Sequence, residues 1–478
     1  MGQRFLLRVP RAGEYIGPMS TDLHLRLDPT LGKARAVESA LRAAIADGRL
    51  PVGARVPPTR ALAADLGIAR NSVAAAYGQL IEEGMLLGRA GAGTYVNRSA
   101  HMLRSPQAAS SEIQAPRLDL RPGSPDVSTF PRALWLRAQR RSLAKAPDLA
   151  FDYGDDRGIS TLRDELARYL ARARGVQVSP GNLVIVNGYR EGRALLAGLF
   201  ARSDMRRIAL EDPCLPSARE AWGWPGLETT PIAVDDFGAR VEELDLADVQ
   251  GVVLTPAHHF PYGGALSQQR RLHVARWAER TQSIVVEDDY DGEFRFDRQP
   301  VGALQSLSLE HVIYAGTTSK SLAPALRLGW LALPDRFVAP FVEAKRVLTG
   351  GVSVLTQLAF TELLASGDFD RHVRRMRREY RRRRDYLLAT LQESSPNLRV
   401  HGIAAGLHAV IDLPPGVTEE RFLAQAAASG IGVHGLSRYT DSPRAPALVV
   451  GFGTPSPAMY STAVRVLADE LAQARMRV

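Results

Sequence analysis

One lysine of this sequence stands among residues that together could hold a phosphorylated aldehyde. Lys320, one of four lysines, comes shortly after the apolar run at residues 312–314. A lysine amine at the end of a strand can form a Schiff base with a carbonyl group. The hydroxyls of Thr317 and Ser319, three and one residues earlier, can hold a phosphate, and the planar guanidinium of Arg327 adds a charged clamp.

A second apolar run, at residues 284–286, is followed by side chains that suit the same chemistry. Schiff-base chemistry on a pyridine ring needs an acid beside the ring nitrogen, and Asp288 can supply one at the end of a strand. Tyr290 can reach the ring hydroxyl. A lone Ser-Lys pair would be ordinary surface, but Asp288 and Tyr290 together with Lys320 predict that pyridoxal phosphate is the cofactor.

The segment that must position these residues alternates apolar runs with helix-length stretches. Five runs look like buried parallel strands: 184–186, 208–210, 252–254, 284–286 and 312–314. They predict an α/β sheet that is covered on both faces. In such sheets the ligand lies at the carboxyl ends of the strands, which is where Asp288 and Lys320 fall.

The N-terminal part has a different pattern. Apolar spacing predicts helices over residues 33–48, 59–67 and 70–83, each closed by a glycine. The second and third are joined by a tight turn at Gly67, which is typical of a helix-turn-helix. Residues 85–96 form two short apolar stretches around a glycine-rich turn, and they predict a β-hairpin, or wing.

These patterns divide a chain of 478 residues, which is too long for one hydrophobic core, into an N-terminal and a C-terminal domain. We expect a loosely attached arm at 1–30 and a winged helix-turn-helix domain at 31–97. A linker rich in Ser, Ala and Pro follows at 98–116, and the large cofactor-binding domain occupies 117–478.

The start of the third helix is the predicted DNA-reading element. The second helix of such a pair normally enters the major groove with its first residues, here Arg70, Asn71 and Ser72, against the base edges. Arginine can pair with guanine and asparagine with adenine, while Arg60 is placed for a phosphate contact. A solvated helix end is the alternative interpretation, but the wing with Arg89 follows directly. The predicted DNA-contacting residues are Arg60, Arg70, Asn71, Ser72, Arg89 and Gly91.

Composition limits where the protein acts. The net charge of +9, almost all of it from arginine, is compatible with a polyanion partner but does not demonstrate one. The only cysteine, Cys214, can form no internal disulfide, which favours a reducing compartment. We find no targeting segment and no run long enough to cross a membrane, and we expect a cytoplasmic protein.

Two other features invite a functional interpretation that we do not adopt. His258 and His259 are adjacent and cannot both point into one site from a strand, and residues 287–293 lack the spacing of a calcium loop, so we assign no metal. Residues 371–384 hold nine arginines. They could touch DNA beside the operator, but the solvated face of a long helix is the preferred interpretation.

The N-terminal part resembles a known family. Residues 34–96 resemble the winged helix of the GntR family through Gly48-Arg49-Leu50-Pro51-Val52-Gly53, Pro57-Pro58-Thr59-Arg60-Ala61-Leu62-Ala63, Arg70-Asn71-Ser72-Val73, Ala76-Tyr77 and Gly91-Ala92-Gly93-Thr94-Tyr95-Val96. The chain departs from the family at Ala69, where a serine cap is common, so this helix start is less well capped.

Residues 117–478 resemble a fold-type I aminotransferase, and the combination resembles the MocR subfamily of GntR regulators. The resemblance implies that Lys320 carries the cofactor, that Asp288 meets the pyridine nitrogen and that Tyr290 meets the ring hydroxyl. It implies a phosphate site made of Thr317, Ser319, Arg327 and the helix start at Gly188, Tyr189 and Arg190. It also implies a homodimer in which Tyr153 reaches the phosphate of the neighbouring subunit.

The chain departs from the aminotransferase pattern at several positions. Where the enzymes often have Asn-Pro-x-Gly, this chain has Phe260-Pro261-Tyr262-Gly263, so no asparagine reaches the ring hydroxyl. Leu215 stands where an aromatic stacking residue is usual. Residues 447–452 lack the arginine that commonly clamps a substrate carboxylate, and Arg438 or His434 is a candidate substitute. These losses weaken turnover more than binding.

The sequence therefore predicts a multi-domain transcription regulator, with an N-terminal α+β winged helix-turn-helix and a C-terminal α/β fold-type I aminotransferase-like domain. We expect pyridoxal phosphate, or the external aldimine of an amino compound with it, to modulate affinity for double-stranded operator DNA. An active aminotransferase with an appended DNA-binding domain is the alternative. A DNA-binding protein with a dead structural domain is a third interpretation.

Overall fold

The computed structural model describes residues 25–97, 116–296, 302–402 and 404–476. The chain divides into two compact units, one up to residue 113 and one from residue 114 onward. Most of the expected arm and all of the expected linker except residue 116 lie outside the described residues. Within the described end of the arm, Leu25 and Leu27 pack against the core of the N-terminal unit.

The N-terminal unit is the predicted winged helix. Its helices are α1 (Lys33–Ala46), α2 (Thr59–Asp65) and α3 (Arg70–Glu82), and its antiparallel wing is β1 (Leu86–Arg89) and β2 (Gly93–Val96). The predicted apolar faces meet in one core, in which Val37, Leu41, Val73 and Leu80 are fully buried. The Tyr77 hydroxyl donates a hydrogen bond to the Pro57 carbonyl at 2.7 Å and fixes the start of α2 against α3.

The large unit is built on an eight-stranded sheet. Its strands in chain order are β4 (Leu183–Val186), β5 (Arg207–Asp212), β6 (Glu228–Asp235), β7 (Gly238–Ala239), β8 (Gly251–Leu254), β9 (Ile284–Asp289), β10 (Val312–Thr317) and β11 (Gly329–Ala332). Their order across the sheet is β4, β11, β10, β9, β8, β5, β6, β7. All five predicted runs are strands, and those in β5, β8, β9 and β10 pair in parallel.

One strand of the sheet runs antiparallel to both of its neighbours and separates two of the predicted strands. The run at 184–186 lies in β4, whose only partner in the described sheet is the antiparallel β11. Strand β11 also pairs with β10 in antiparallel register. Strand β4 therefore runs in the same direction as the parallel strands, as predicted, although β11 separates it from them.

Helices cover the sheet on both faces, as predicted. They are α4 (Arg132–Leu143), α5 (Ser160–Arg174), α6 (Tyr189–Ala201), α7 (Pro216–Gly223), α8 (Gln268–Thr281), α9 (Asp335–Leu348), α10 (Val354–Ala365) and α11 (Asp368–Ser394). Two separate apolar clusters, one on each side of the sheet, contain Val184 and Ile185 from neighbouring positions of β4. Alternate residues of one strand therefore serve both faces.

A smaller layer completes the large unit. Strands β12 (Val400–His401), β13 (His408–Asp412), β16 (Ala447–Gly451) and β15 (His434–Gly435) form an antiparallel sheet, while β14 (Ile431–Gly432) pairs with β3 (Leu118–Asp119). Helices α12 (Glu419–Ala428) and α13 (Pro457–Met476) share an apolar core with β13. Among the helices of the described residues, none combines the length and apolar character needed to cross a lipid bilayer.

The arginine-rich stretch at 371–384 lies on α11 and is partly structural. The side chain of Arg383 is fully buried, with its Nη2 2.6 Å from the Asp126 carboxylate. Arg377 donates a hydrogen bond from its Nε to the Glu293 carbonyl at 2.8 Å. The prediction of a solvated face is therefore wrong for Arg383, and Arg377 holds the backbone shortly after β9, close to the predicted cofactor residues.

Candidate functional site

The two residues at the centre of the predicted cofactor site come from neighbouring parallel strands. Asp288 in β9 lies opposite Ala315 in β10, and Lys320 follows the end of β10. The Lys320 Nζ donates to the Gly123 carbonyl. Burial lowers the pKa of Lys320 and raises the pKa of Asp288 to about 7, although the charges of Arg193 and Lys320 oppose the latter. A lysine with a lowered pKa is a better nucleophile toward an aldehyde.

A cradle for an anion lies beside this pair. The Thr317 and Ser319 hydroxyl oxygens are 2.9 Å apart. Gly188, with φ +73°, precedes α6, whose N-terminus has no side-chain cap. A Cβ on Gly188 would lie only 3.3 Å from Nη1 of Arg327, so this glycine lets the guanidinium approach the helix start. Backbone N–H groups, hydroxyls and a guanidinium meet here, which suits a phosphate.

Two buried polar atoms near the start of α6 lack partners in the part of the chain that the structure describes. They are the hydroxyl of Tyr189 and the Nε of Arg193. The Arg193 guanidinium lies 5.9 Å from the Tyr189 ring centre. Buried polar atoms are normally hydrogen-bonded, so this pair is compatible with a polar ligand beside α6. The side chain of Arg190 is exposed.

Arg193 is a site residue that the sequence analysis missed. It lies on α6 one turn beyond Tyr189, it is 5% exposed, and its charge is the largest influence that opposes the raised pKa of Asp288. The helical spacing of three to four residues from Tyr189 and Arg190 was the signal that could have found it.

The predicted ring-hydroxyl partner, Tyr290, lies in a compact polar cluster. Its hydroxyl is 3.0 Å from Nδ1 of His258, and the same nitrogen is 2.8 Å from a carboxylate oxygen of Asp291. Burial raises the pKa of Tyr290, and the Asp291 carboxylate adds to this. His258 and Asp291 were not predicted, because their contact joins residues 33 positions apart.

The same cluster could also hold a cation. Ligand atoms of His258, Asp291 and His408 all lie within 4.8 Å of one another, and all three residues are buried. His259 does not join them, because its Nε2 lies 3.1 Å from the Pro213 carbonyl. The two adjacent histidines thus face different partners, as expected, but the sequence analysis did not foresee the three-residue group.

The positions that depart from the aminotransferase pattern lie in different environments. Phe260 packs edge-on against the Tyr290 ring at 6.4 Å, and Leu215 is exposed just before α7. The interior of β16 is apolar and buried and supplies no cation. Of the two candidate substitutes, Arg438 is exposed. Burial lowers the pKa of His434 to about 4, so this imidazole is uncharged at neutral pH.

Tyr153 does not meet the other site residues within one chain. Its side chain is fully exposed, and so is much of Leu149 and Phe151 just before it. Exposed apolar side chains in a row are typical of a surface that another protein covers. The role of Tyr153 in a neighbouring subunit stays a prediction.

The predicted DNA-contacting residues share the surface of the N-terminal unit. Arg60, Arg70, Asn71, Arg89 and Gly91 are exposed, and Ser72 is half-buried. Ala69 precedes α3 without a side-chain cap, as expected.

Three of these arginines are available to an anionic partner. Among the described residues, the ion pairs of this unit engage Arg42 and Arg49 but not Arg60, Arg70 or Arg89. Arg89 lies over the Tyr95 ring at 5.1 Å, which holds it on the wing.

Comparison with known proteins agrees with both halves of the structure. Residues 33–96 match the family of bacterial regulatory proteins described as the gntR family, and residues 118–437 match the aminotransferase class I and II family. A kynurenine aminotransferase of Pyrococcus horikoshii, whose crystal structure is a complex with PMP, is 25% identical with a TM-score of 0.69. The match covers 76% of this chain and 92% of that chain.

Two relatives match almost the whole chain. The HTH-type pyridoxine biosynthesis transcriptional regulator PdxR of Corynebacterium glutamicum is 33% identical over 446 residues, which is 91% of this chain and 96% of the relative. The probable rhizopine catabolism regulatory protein MocR of Rhizobium meliloti is 30% identical over 457 residues, which is 90% of this chain and 92% of the relative.

These matches confirm the predicted fold class, the predicted resemblance and the predicted cofactor, because the aminotransferase class I and II fold uses pyridoxal phosphate. The orphaned polar atoms of Tyr189 and Arg193 and the close approach of the Arg327 guanidinium to Gly188 fit such a group. The chain belongs to the MocR-type GntR family of bacterial regulatory proteins, in which a winged helix is joined to an aminotransferase class I and II domain.

Proposed function

We propose that the protein is a transcription regulator that binds double-stranded operator DNA, and that pyridoxal phosphate or an amino compound condensed with it changes the DNA affinity. One observation carries the proposal. The same chain presents the exposed Arg70 at the start of α3 and holds Lys320 beside Asp288 at the ends of parallel strands.

The DNA-binding step rests on the N-terminal unit. Arg70 and Asn71 occupy the first turn of α3, where a reading helix presents side chains to base edges. Arg60 on α2 and Arg89 on the wing are exposed and would contact phosphates on either side of that helix. This division predicts that Arg70 and Asn71 supply sequence preference while Arg60 and Arg89 supply salt-dependent affinity.

The cofactor step rests on the large unit. The cofactor supplies an aldehyde that Lys320 can bind covalently. Asp288 would hold a proton at the ring nitrogen, and Thr317, Ser319 and Arg327 would hold the phosphate. The half-buried Lys320 lies where an incoming amine could displace it. An amino compound would then be sensed through competition with the lysine amine for the same carbon.

Coupling between the two steps requires a ligand that favours one arrangement of the protein over another. We propose that the arrangement is that of a homodimer. The exposed Leu149, Phe151 and Tyr153 would be covered by the partner. A dimer carries two winged helices, which predicts paired half-sites in the DNA. A DNA partner and the free cysteine Cys214 support our proposal of a cytoplasmic location.

The test is fluorescence-anisotropy binding to the DNA immediately upstream of the protein's own gene. Holo protein, cofactor-stripped protein and the Lys320→Ala variant are compared, with Arg70→Ala as the control for specific DNA contact. We expect holo and stripped protein to differ by about tenfold, or ~1.4 kcal/mol. Identical affinity of all three forms, with and without amines, would contradict sensing through Lys320.

The alternative function, steady transamination, has a specific observation in its favour, since Lys320 and Asp288 are both present at the expected strand ends. Phe260, Leu215 and the apolar β16 argue against it, because turnover needs proton transfer and carboxylate positioning that these residues do not supply. Multiple turnovers of an amino acid with an oxo acid, abolished in Lys320→Ala, would establish the enzyme.

A further inference from the structure

His258 has no role in the comparisons, yet its environment is built around its imidazole. The ring lies between two glycines of positive φ, Gly263 and Gly406. A Cβ on Gly406 would overlap the imidazole, and one on Gly263 would lie 2.9 Å from Nε2. The side chain of His258 is 1% exposed. The imidazole is therefore a buried polar ring for which two glycines leave room.

The hydrogen bonds of the cluster define the state of that ring. Asp291, an acceptor when ionised, lies 2.8 Å from Nδ1, which assigns the proton to Nδ1. Nε2 is then a bare lone pair, and it has no partner among the described residues. A buried lone pair without a partner costs less than a buried N–H without one, so this tautomer is favoured.

The same proton on Nδ1 also reaches Tyr290. The Tyr290 oxygen is 3.0 Å from Nδ1 and can accept this N–H, which leaves the tyrosine's own proton free to point elsewhere. Asp291 is the competing acceptor for that proton, since a hydrogen bond between Tyr290 and the Asp291 carboxylate contributes to the raised pKa of Tyr290. An N–H that His258 donates to Asp291 occupies part of this carboxylate and weakens its competition for the tyrosine proton.

Other groups around the cluster are accounted for. His408 lies 5.0 Å from the His258 ring, and its Nε2 is 2.9 Å from the Pro261 carbonyl. Burial keeps the pKa of His408 well below its ordinary value, so it adds no charge. Phe260 packs against both His408 and Tyr290 and offers no hydrogen bond.

The charged groups that act on Lys320 itself are Asp288 and Asp291. His258 lies within hydrogen-bond distance of the Tyr290 oxygen, and Phe260 occupies the position of the missing asparagine.

We propose that His258 is a positioning residue: held by Asp291, it keeps the Tyr290 hydroxyl turned as a donor toward the ring oxygen of the cofactor, in place of the asparagine of related enzymes. The inference rests on the proposed placement of pyridoxal phosphate at Lys320. A donor at the ring oxygen draws negative charge away from the Lys320 nitrogen and makes that nitrogen less basic.

The test is the pH titration of the visible absorption of the holo protein, which reports protonation at the Lys320 nitrogen. In His258→Leu, the Asp291 carboxylate is free to accept the hydrogen bond that the Tyr290 hydroxyl donates. The pKa of the spectral change should therefore rise by about one pH unit, the effect of one hydrogen bond to a charged atom. His258→Asn keeps a polar group near the Nδ1 position and should restore most of the wild-type value.

Two controls separate positioning from a merely structural role. His259→Leu removes an adjacent, equally buried imidazole that bonds Pro213 instead of Tyr290, and should leave the spectral pKa unchanged. In a Tyr290→Phe background the His258→Leu change should add nothing, because the two residues act through one hydroxyl. If His258→Leu does not fold, His258→Ala provides a second variant that removes the imidazole and should raise the spectral pKa in the same way.

Three outcomes would overturn the inference. If His258→Leu titrates like the wild type, His258 does not orient Tyr290. If EDTA shifts the wild-type titration and Zn²⁺ restores it, the cluster of His258, Asp291 and His408 is a metal site instead. A wild-type protein without any visible band would overturn the proposed cofactor placement itself, and this inference with it.

Discussion

Replacing Gly188 by alanine should weaken cofactor binding through Arg327. Gly188 has φ +73° and ψ 161°, a region that is essentially reserved for glycine, and a Cβ there would lie 3.3 Å from Nη1 of Arg327. The backbone term costs about 1–3 kcal/mol of folding stability, but it applies with and without ligand and cancels in the affinity. Displacement of the Arg327 guanidinium weakens only the ligand-bound state, so its effect remains in the affinity for pyridoxal phosphate.

The magnitude follows from the contact that is disturbed. A hydrogen bond between charged groups contributes about 1.5–3 kcal/mol, so misplacing Arg327 should raise the Kd for pyridoxal phosphate by roughly 10- to 100-fold. The assay is titration of cofactor-stripped protein with pyridoxal phosphate, followed by absorbance. Thermal unfolding of the stripped proteins reports the backbone cost separately.

Gly175→Ala is the matched control. Gly175 also has positive φ, at +70°, but a Cβ there would meet nothing within 4 Å. It should lose about 1–2 kcal/mol of stability and keep the wild-type Kd. An unchanged Kd in Gly188→Ala would refute the assignment of the phosphate to the site at Gly188 and Arg327. An equal loss of cofactor affinity in Gly188→Ala and Gly175→Ala would refute it as well.

Three further predictions concern DNA reading, pH and the core. Arg70→Ala should cost about 1–3 kcal/mol of specific DNA affinity in anisotropy titrations and relax base preference at one position per half-site; an equal loss on non-specific DNA would contradict base reading. Asp288 has a pKa raised to about 7 by burial, so the folded state holds its proton more tightly than the unfolded state, and the unfolding free energy should fall as pH rises from about 4 to 7. In urea titrations of stripped protein, Asp288→Asn should therefore be more stable than the wild type at pH 8, with the difference shrinking toward pH 5, and a constant difference would count against the shift. Arg383→Met leaves the buried Asp126 carboxylate uncompensated and should cost about 3–5 kcal/mol, whereas the exposed Arg378→Met should stay within about 0.5 kcal/mol.

The winged helix could be predicted almost completely because its signals are local. Gly48, Gly67 and Gly84 close the helices, and each adopts the positive φ that glycine accepts readily. The apolar positions between them repeat at helical spacing. The positions of these helices and of the hairpin follow from local sequence signals, so the sequence pattern and the structure agree.

The sheet could be predicted only in part. Buried parallel strands such as β9 and β10 are continuous apolar runs and are easily recognised. Strand β11 is a similar apolar run, but its antiparallel insertion between β4 and β10 is a property of chain topology, which no local pattern carries. The strands of the smaller sheet are two to five residues long, too short for a period to show.

The candidate site shows the same limit. Lys320, Thr317 and Ser319 lie within four residues of one another, so their spacing predicted the chemistry. The cluster of His258 and Asp291 joins residues from two separate loops, and the buried pairing of Arg383 with Asp126 joins residues 257 positions apart. Burial of an arginine depends on such a partner, which a run of arginines in the sequence does not reveal.

The most direct test of the central claim uses the reciprocity of coupled binding. If the cofactor changes DNA affinity by some factor, operator DNA must change the affinity for pyridoxal phosphate by the same factor. We would measure the Kd of pyridoxal phosphate with and without saturating operator DNA. The proposed function predicts a shift of about tenfold that equals the holo-to-stripped ratio of DNA affinities. A cofactor affinity that operator DNA leaves unchanged would contradict it.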